Sequence, residues 1–366
     1  MSNGSHVLEL ASFTDAQGIL ESGRSQPLRV TVAAVVASSG ATTGLSNGSI
    51  IETSDGVQLR ADVLYEGLRD PRAIAIAADG RAFVGTADGV LMIKDGALAG
   101  PPQLTDGPTI ALDLSPNFSR NGHVFVTQVV SSAAESQLFR TSRVIDMGGW
   151  LADRMVILEH GPASADPAAA LRFSADGKLH LAFDDGGDPV GADRMAEWRG
   201  KLLRMEPDGR TPRDQAGASP VLWRGLASPR GFDWTRDGRA IWLADGSRDG
   251  VERLRVIVAT STEPRRAAQS ASYVLPEGLG ATSVAFYRHS AIPAFAGDLF
   301  VSGRRGGYLL RIRFGDTADG LRPTTTERLM EGRIGEVGAM TVGPEGALYF
   351  ATETALVRLT CPRCRG

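Results

Sequence analysis

Four aspartates crowd one short stretch: Asp184, Asp185, Asp188 and Asp193, interspersed with Gly186, Gly187 and Gly191. A glycine-loosened loop rich in carboxylate oxygen suits a hard cation such as calcium. The spacing is not that of an EF-hand, and a solvated acidic turn has the same composition. Arginine suggests a second chemistry. Of 39 basic residues only Lys94, Lys178 and Lys201 are lysines, and a guanidinium fork grips carboxylates through two bonds at once. A GC-rich coding sequence would produce the same bias. Cys361 and Cys364 are the two cysteines of the chain. They make half a zinc site without a second half, too little for a disulfide framework, and read as a frayed tail. Gly44-Leu-Ser46-Asn-Gly48 has nucleophile-elbow spacing but lacks the strand and helix that make such a serine reactive. His123 and His180 fall at strand positions and are expected to be packed. No dinucleotide or P-loop fingerprint occurs, so nicotinamide and ATP chemistry lack support.

Such residues need a scaffold, and the composition limits which. The chain has 366 residues, 42% hydrophobic and 22% charged, enough for a sizeable core. Net charge is −3 with no basic block, which gives a nucleic-acid surface little support. No apolar run reaches the length of a membrane-spanning helix. With 44 Gly and 19 Pro, the chain favours many turns over long helices.

One unit recurs six times: an apolar strand, a Gly-containing turn, a second strand, a loop and a third strand. The turn dipeptides are Asp79-Gly80, Asn121-Gly122, Asp176-Gly177, Asp237-Gly238, Gly297-Asp298 and Glu345-Gly346. Gly flanked by apolar runs signals hairpins, and antiparallel units of this length are propeller blades. The expected fold is all-β, a six-bladed β-propeller over 60–360. A leader over 1–59 precedes it and a tail over 361–366 follows. Fourth strands are expected at 155–158, 221–224, 272–275 and 327–330. The last unit lacks one, and 62–66 is a fourth strand without a blade, so pairing the two would close the ring. Loops then sort onto two faces, with the turn dipeptides on one and the long loops on the other. Within the leader, Val30–Ala37 has the shape of a short secretory h-region, but acidic residues precede it.

The repeat phrases resemble the soluble quinoprotein sugar dehydrogenases, the glucose/sorbosone and aldose sugar dehydrogenases. Leu171-Arg-Phe-Ser-Ala-Asp-Gly-Lys-Leu is similar to that family's "LxFgpDGxLY". Gly200-Lys-Leu-Leu-Arg-Met-Glu-Pro-Asp-Gly is similar to its "GKilRidpDG", and Ser228-Pro-Arg-Gly-Phe-Asp-Trp occupies its "RNPqGlaw". Gly297-Asp-Leu-Phe-Val and Gly332-Arg-Ile-Gly-Glu-Val match later blocks. The resemblance covers about 300 residues. It implies a propeller that uses pyrroloquinoline quinone (PQQ) and calcium to oxidise a small sugar or alcohol, in the periplasm or secreted. A cytoplasmic location follows if the leader is not a signal.

Several positions depart from the family pattern. Where the family has its general-base His, counting back from Leu171 reaches Asp166, and His160 is the nearest imidazole. Hydride leaves a sugar carbon only as its hydroxyl proton is removed, so one of the two must serve. The resemblance assigns Arg305, Arg333 and Ser228 to the cofactor, and Arg230, in a loop of the same face, is expected to join them. It assigns Asp185, Asp245, Gly246 and Ser247 to the metal. Arg224, Arg248 and Arg304 lie in loops of the same face and could join a cationic cup. Asp166, Asp185, Ser228, Asp245, Arg305 and Arg333 are expected to converge near one channel mouth. Two other readings stand beside the dehydrogenase: an inactive propeller serving as a binding module, and a calcium-dependent lactonase-type propeller.

Overall fold

A computed structural model describes residues 4–8, 28–32, 44–131, 136–215, 218–246, 249–258, 265–266, 271–315 and 322–364. Two units separate, Met1–Ala41 and Thr42–Gly366. In the first, Gly4–Leu8 pairs antiparallel with Leu28–Val32. The apolar run at 30–37 therefore begins inside a strand, and its remainder lies outside the described residues.

The second unit is the expected six-bladed ring. Its inner strands run Ala73–Ile76, Thr109–Leu114, Ala169–Phe173, Pro229–Trp234, Ala281–Phe286 and Val337–Val342 for blades 1 to 6. Each packs on the next, and the sixth returns to the first. Six hydrophobic clusters occur among the described residues, one at each blade interface. Each blade buries its apolar faces only against its neighbours, so the ring must close to be dry everywhere. At the closing seam Gly338 is obligatory in size: a Cβ there would stand 1.8 Å from the Pro71 carbonyl oxygen. Polar stitches supplement the packing. Asp113 Oδ2 accepts from the Phe173 amide at 3.0 Å and Asp233 Oδ2 from the Phe286 amide at 2.7 Å, each crossing a blade boundary.

The turn dipeptides act in a longer turn than a two-residue hairpin. In blade 1 the Gly80 amide donates to Ala77 and the Ala77 amide to Arg81, so a four-residue turn ends on Gly80 at φ 85°. Asp79 Oδ1 holds the Arg81 amide, as Asp176 holds Lys178 and Asp237 holds Arg239. In blade 2 the short helix Phe118–Asn121 takes the turn's place.

Closure occurs as expected. Gln58–Glu66 pairs antiparallel with Ala355–Thr360, Ala355 opposite Glu66 and Thr360 opposite Arg60. The ring's sheet also starts earlier than residue 60, because Ser49–Glu52 adds a fifth strand outside Gln58–Glu66. Three further strands of the ring went unforeseen: Gln137–Asp146 in blade 2, the brief Ala97–Leu98 in blade 1, and Arg265–Arg266, which pairs parallel with Val221–Arg224 of blade 3. The tail is not frayed where it leaves the last strand. Cys361 is buried in the cluster between blades 5 and 6 and forms a disulfide with Cys364. Among the described residues no helix is long and apolar enough to cross a membrane.

Candidate functional site

The inner strands leave a narrow channel lined by small residues, among them Ala73, Ala111, Ala170 and Gly231. At its loop-face mouth the channel widens into a cavity of about 150 Å³. Arg72, Arg230, Arg304 and Arg305 line it, with Asp166, Glu252 and Thr282. Pro71-Arg72 and Pro229-Arg230 enter the inner strands of blades 1 and 4 in the same register. Those blades are half a turn apart in a ring of six, so the two arginines reach the mouth from opposite sides of the channel. Arg304 and Arg305 follow Leu299–Gly303, the second strand of blade 5.

Carboxylates hold three of the four. Asp70, a non-glycine residue at φ 44°, bridges Arg72 at 2.6 Å and Arg304 at 2.8 Å. Burial works to raise the Asp70 carboxyl, but hydrogen bonds from both arginines outweigh it and hold it below its ordinary value. Arg230 pairs with Asp166, whose side chain is 84% exposed. Arg305 has no carboxylate partner among the described residues. Glu252 is occupied, accepting from the Gly280 amide at 2.8 Å and the Ala281 amide at 2.9 Å. The mouth is thus a cationic cup whose charge is only partly neutralised.

Of the expected site residues, Asp166, Arg230 and Arg305 meet at this cavity. Ser228 and Asp245 lie just behind Arg230 as a clasp: Asp245 Oδ1 accepts from the Ala227 and Ser228 amides at 3.0 and 2.8 Å, and Arg255 holds its other oxygen at 2.7 Å. Gly246 belongs to the ladder, its amide bonded to the Ser228 carbonyl. Asp185 joins the back of the clasp. Its amide reaches the Ala227 carbonyl and its Oδ1 takes the Gly187 amide at 2.8 Å. Ser247 and Arg248 lie outside the described residues. Arg333 turns away from the cavity, and its Nη1 donates to the Ile50 carbonyl at 3.2 Å. Arg72, Asp70 and Glu252 were missed, though the repeated Pro-Arg dipeptide was visible in the sequence.

His160 is not at the cavity lining. It ends the strand Leu151–His160 with its ring against Phe183 and Phe139, centroids 4.3 and 5.3 Å away. Burial, reinforced by the charges of Arg199 and Lys201, pushes its imidazole down to about 4. It is a packed histidine, neutral at pH 7, and is not among the described residues that line the cavity.

The acidic loop satisfies itself without a cation. Asp184 accepts from Ser164 Oγ at 2.7 Å and from the Ala168 and Gly186 amides at 2.9 Å. Asp188 takes the Val190 and Gly191 amides at 3.1 and 2.9 Å. Lys201, wholly buried, donates to the Ala192 and Arg199 carbonyls at 2.6 and 2.9 Å, so an ammonium already holds this loop's oxygens. Burial, with Arg224 and Arg199 adding to it, lowers that ammonium to about 8. Among the described residues no three His, Cys, Asp or Glu side chains are grouped to hold a metal. Of the residues assigned to calcium by resemblance, Asp245 already accepts from two amides and Arg255, Asp185 from the Gly187 amide, and Gly246 donates its amide to the Ser228 carbonyl, while Ser247 is outside the described residues.

A family model described as glucose/sorbosone dehydrogenase matches residues 68–262 and 255–360. The apo-form soluble aldose sugar dehydrogenase of Escherichia coli superposes with a TM-score of 0.72 at 15% identity, covering 83% of this chain and 99% of that one. The PQQ-bound aldose sugar dehydrogenase of Streptomyces coelicolor superposes at 0.66 with 18% identity, over 83% and 98%. A glucose dehydrogenase gives 0.71 at 20%, over 81% and 98%. At such identities these likenesses speak for the fold alone. No curated protein matches the sequence.

Proposed function

This chain belongs to the glucose/sorbosone dehydrogenase family, and from that premise we propose that it is a quinoprotein sugar dehydrogenase with altered catalytic equipment. Its loop-face cavity would seat the carboxylates of PQQ. The observation that carries this reading is the cup of Arg72, Arg230, Arg304 and Arg305 around one cavity, with no carboxylate on Arg305 among the described residues. Three carboxylates on a planar ligand need several cations converging from different directions, and arginine forks are suited to them. The donor set fits the quinone in charge and in chemistry. It does not fit calcium.

Bound there, the quinone supplies a hydride acceptor. The chain supplies charge, orientation and a proton acceptor. Arg72 and Arg304 are held ready by Asp70, opposite Arg230. Asp166 stands at the cavity edge and is the carboxylate in reach of a substrate hydroxyl. Arg230 fixes its position, and releasing it to a ligand carboxylate would free Asp166 to take the proton. The Cys361–Cys364 disulfide adds support for an oxidising compartment, since such bonds persist where thiols are not kept reduced.

Calorimetric titration with PQQ, with and without calcium, tests the reading. Binding that is independent of calcium and weakened at least tenfold by Arg305→Ala is expected. Dye-coupled oxidation of aldoses should then vanish in Asp166→Ala and persist in His160→Phe. Absence of PQQ binding refutes the proposal. Binding without turnover, with turnover appearing in Asp166→His, would make the natural protein a ligand-binding propeller instead.

A further inference from the structure

A second cavity opens on the opposite face, between the Asp176-Gly177 and Asp237-Gly238 turns of blades 3 and 4. At about 1000 Å³ it is more than six times the loop-face cavity. Concave spaces of this size with mixed aromatic and polar lining are where proteins hold small molecules. One wall is apolar, built from Leu222, Trp223, Ile241 and Ile257. Trp234 stands half-buried in it, edge-to-face with Phe232 at 5.5 Å and with His180 at 4.9 Å.

The polar lining is charged but already balanced. Asp233 takes Arg172 at 2.8 Å and also Arg288, and Arg204 bridges Asp176 and Asp214, both at 2.8 Å. Part of this network is structural, because Asp233 also stitches blade 4 to blade 5. The stitching explains the buried ions. It does not explain two partly exposed apolar side chains at the cavity, Leu222 and Trp234, nor Arg236, an exposed lining residue with no carboxylate partner among the described residues.

The ligand chemistry follows from these features. An anion entering would meet Asp176, Asp214 and Asp233, and a cation would meet Arg172, Arg204 and Arg288. A neutral molecule with hydroxyls finds donors and acceptors side by side. A flat apolar face on that molecule finds the indole of Trp234. A pyranose combines both, with axial C–H bonds on its face and hydroxyls at its rim, and the volume admits several rings. We infer that this cavity is a binding site for a neutral oligosaccharide, stacked on Trp234 and separate from the loop-face cavity.

A panel of neutral oligosaccharides (β-glucans, α-glucans, xylans and mannans) tests this on the full chain by tryptophan fluorescence and calorimetry. At least one is expected to bind. Trp234→Ala should weaken that binding at least tenfold, Arg236→Ala a few-fold, and Arg305→Ala not at all. Hydrogen exchange on the wild type with the bound sugar should protect 222–224 and 233–238 but not 304–306, which keeps the test valid if Trp234→Ala fails to fold. The inference is overturned if no member of the panel binds, if protection falls at 304–306, or if an oligogalacturonate or chitosan fragment binds as well as the neutral sugars. None of these outcomes depends on PQQ or on turnover.

Discussion

Replacing Arg311 with methionine should loosen the ring closure more than any surface change. The guanidinium is fully buried and has five partners: Asp298 at 2.6 Å, Asp55 at 3.0 and 3.1 Å, Glu327 at 3.1 Å, the Ala294 carbonyl at 2.5 Å, and the Phe295 ring at 4.3 Å. Asp55 lies in the turn between Ser49–Glu52 and Gln58–Glu66, so this one side chain ties the closing hairpin to blade 5. Methionine fills much of the volume but leaves three carboxylates facing each other. Removing one partner of a buried ion cluster costs about 3–5 kcal/mol, a third or more of a typical folding free energy of about 10 kcal/mol. Burial works to raise the Asp55 carboxyl, but hydrogen bonds from Arg311 and Thr53 outweigh it and bring it from 3.8 to about 2. A carboxylate lowered in the folded state contributes stability that is present above the unfolded value and lost as pH falls through the folded one. For Asp55 that window is 3.8 down to about 2; because the residue is exposed, solvent screening keeps its contribution well below the roughly 2 kcal/mol that the shift alone would give. Wild type and Arg311→Met should therefore differ most at pH 7 and converge toward pH 2 to 3. Urea unfolding followed by circular dichroism at both pH values measures this. A loss under about 1 kcal/mol at pH 7, or an equal loss at low pH, would refute the claim that this network holds the closure.

Other perturbations have calculable outcomes. Gly338→Ala places a Cβ against the Pro71 carbonyl at the blade 6–blade 1 seam and should cost about 2 kcal/mol or more by overpacking, visible as a lowered Tm. Cys364→Ser opens a four-residue disulfide loop, whose closure entropy is worth no more than about 2 kcal/mol, so reductant should shift the melting curve only slightly. His160 and His180, both lowered from 6.5 to about 4 by burial, stay neutral in the folded state while the unfolded chain takes up protons. Stability should be full above pH 6.5 and fall steadily toward pH 4. His160→Phe should reduce that slope in urea titrations at pH 7 and 4.5.

Much of the ring was legible because its signals are local. Each inner strand is a short apolar run, each following turn carries a glycine at a fixed place, and the orphan strand at 62–66 had one vacancy to fill. What stayed hidden lacked such marks. Gln137–Asp146 mixes Arg, Thr and Ser with its apolar residues although it is paired on both edges, and no turn dipeptide announces it. Ser49–Glu52 is four residues in a Ser- and Gly-rich context and becomes a strand only because Gln58–Glu66 offers an unpaired edge. That unseen strand also accounts for Arg333: the guanidinium binds the Ile50 carbonyl, a partner absent from any reading in which the leader ends at 59.

The same reasoning separates the two base candidates. Six residues of sequence look like proximity, but His160 closes a ten-residue strand in which neighbouring side chains point to opposite faces. Glu159 faces water and pairs with Arg140 at 2.7 Å, so His160 must face the blade interface, where Phe139 and Phe183 enclose it. Asp166 follows the strand, in a loop free of that alternation, and reaches the mouth. Strand register thus decides which group can meet a substrate. The register of the repeats makes a parallel decision for the arginines, since a Pro-Arg dipeptide at the head of blades 1 and 4 has to present its two guanidinium groups from opposite sides of one channel.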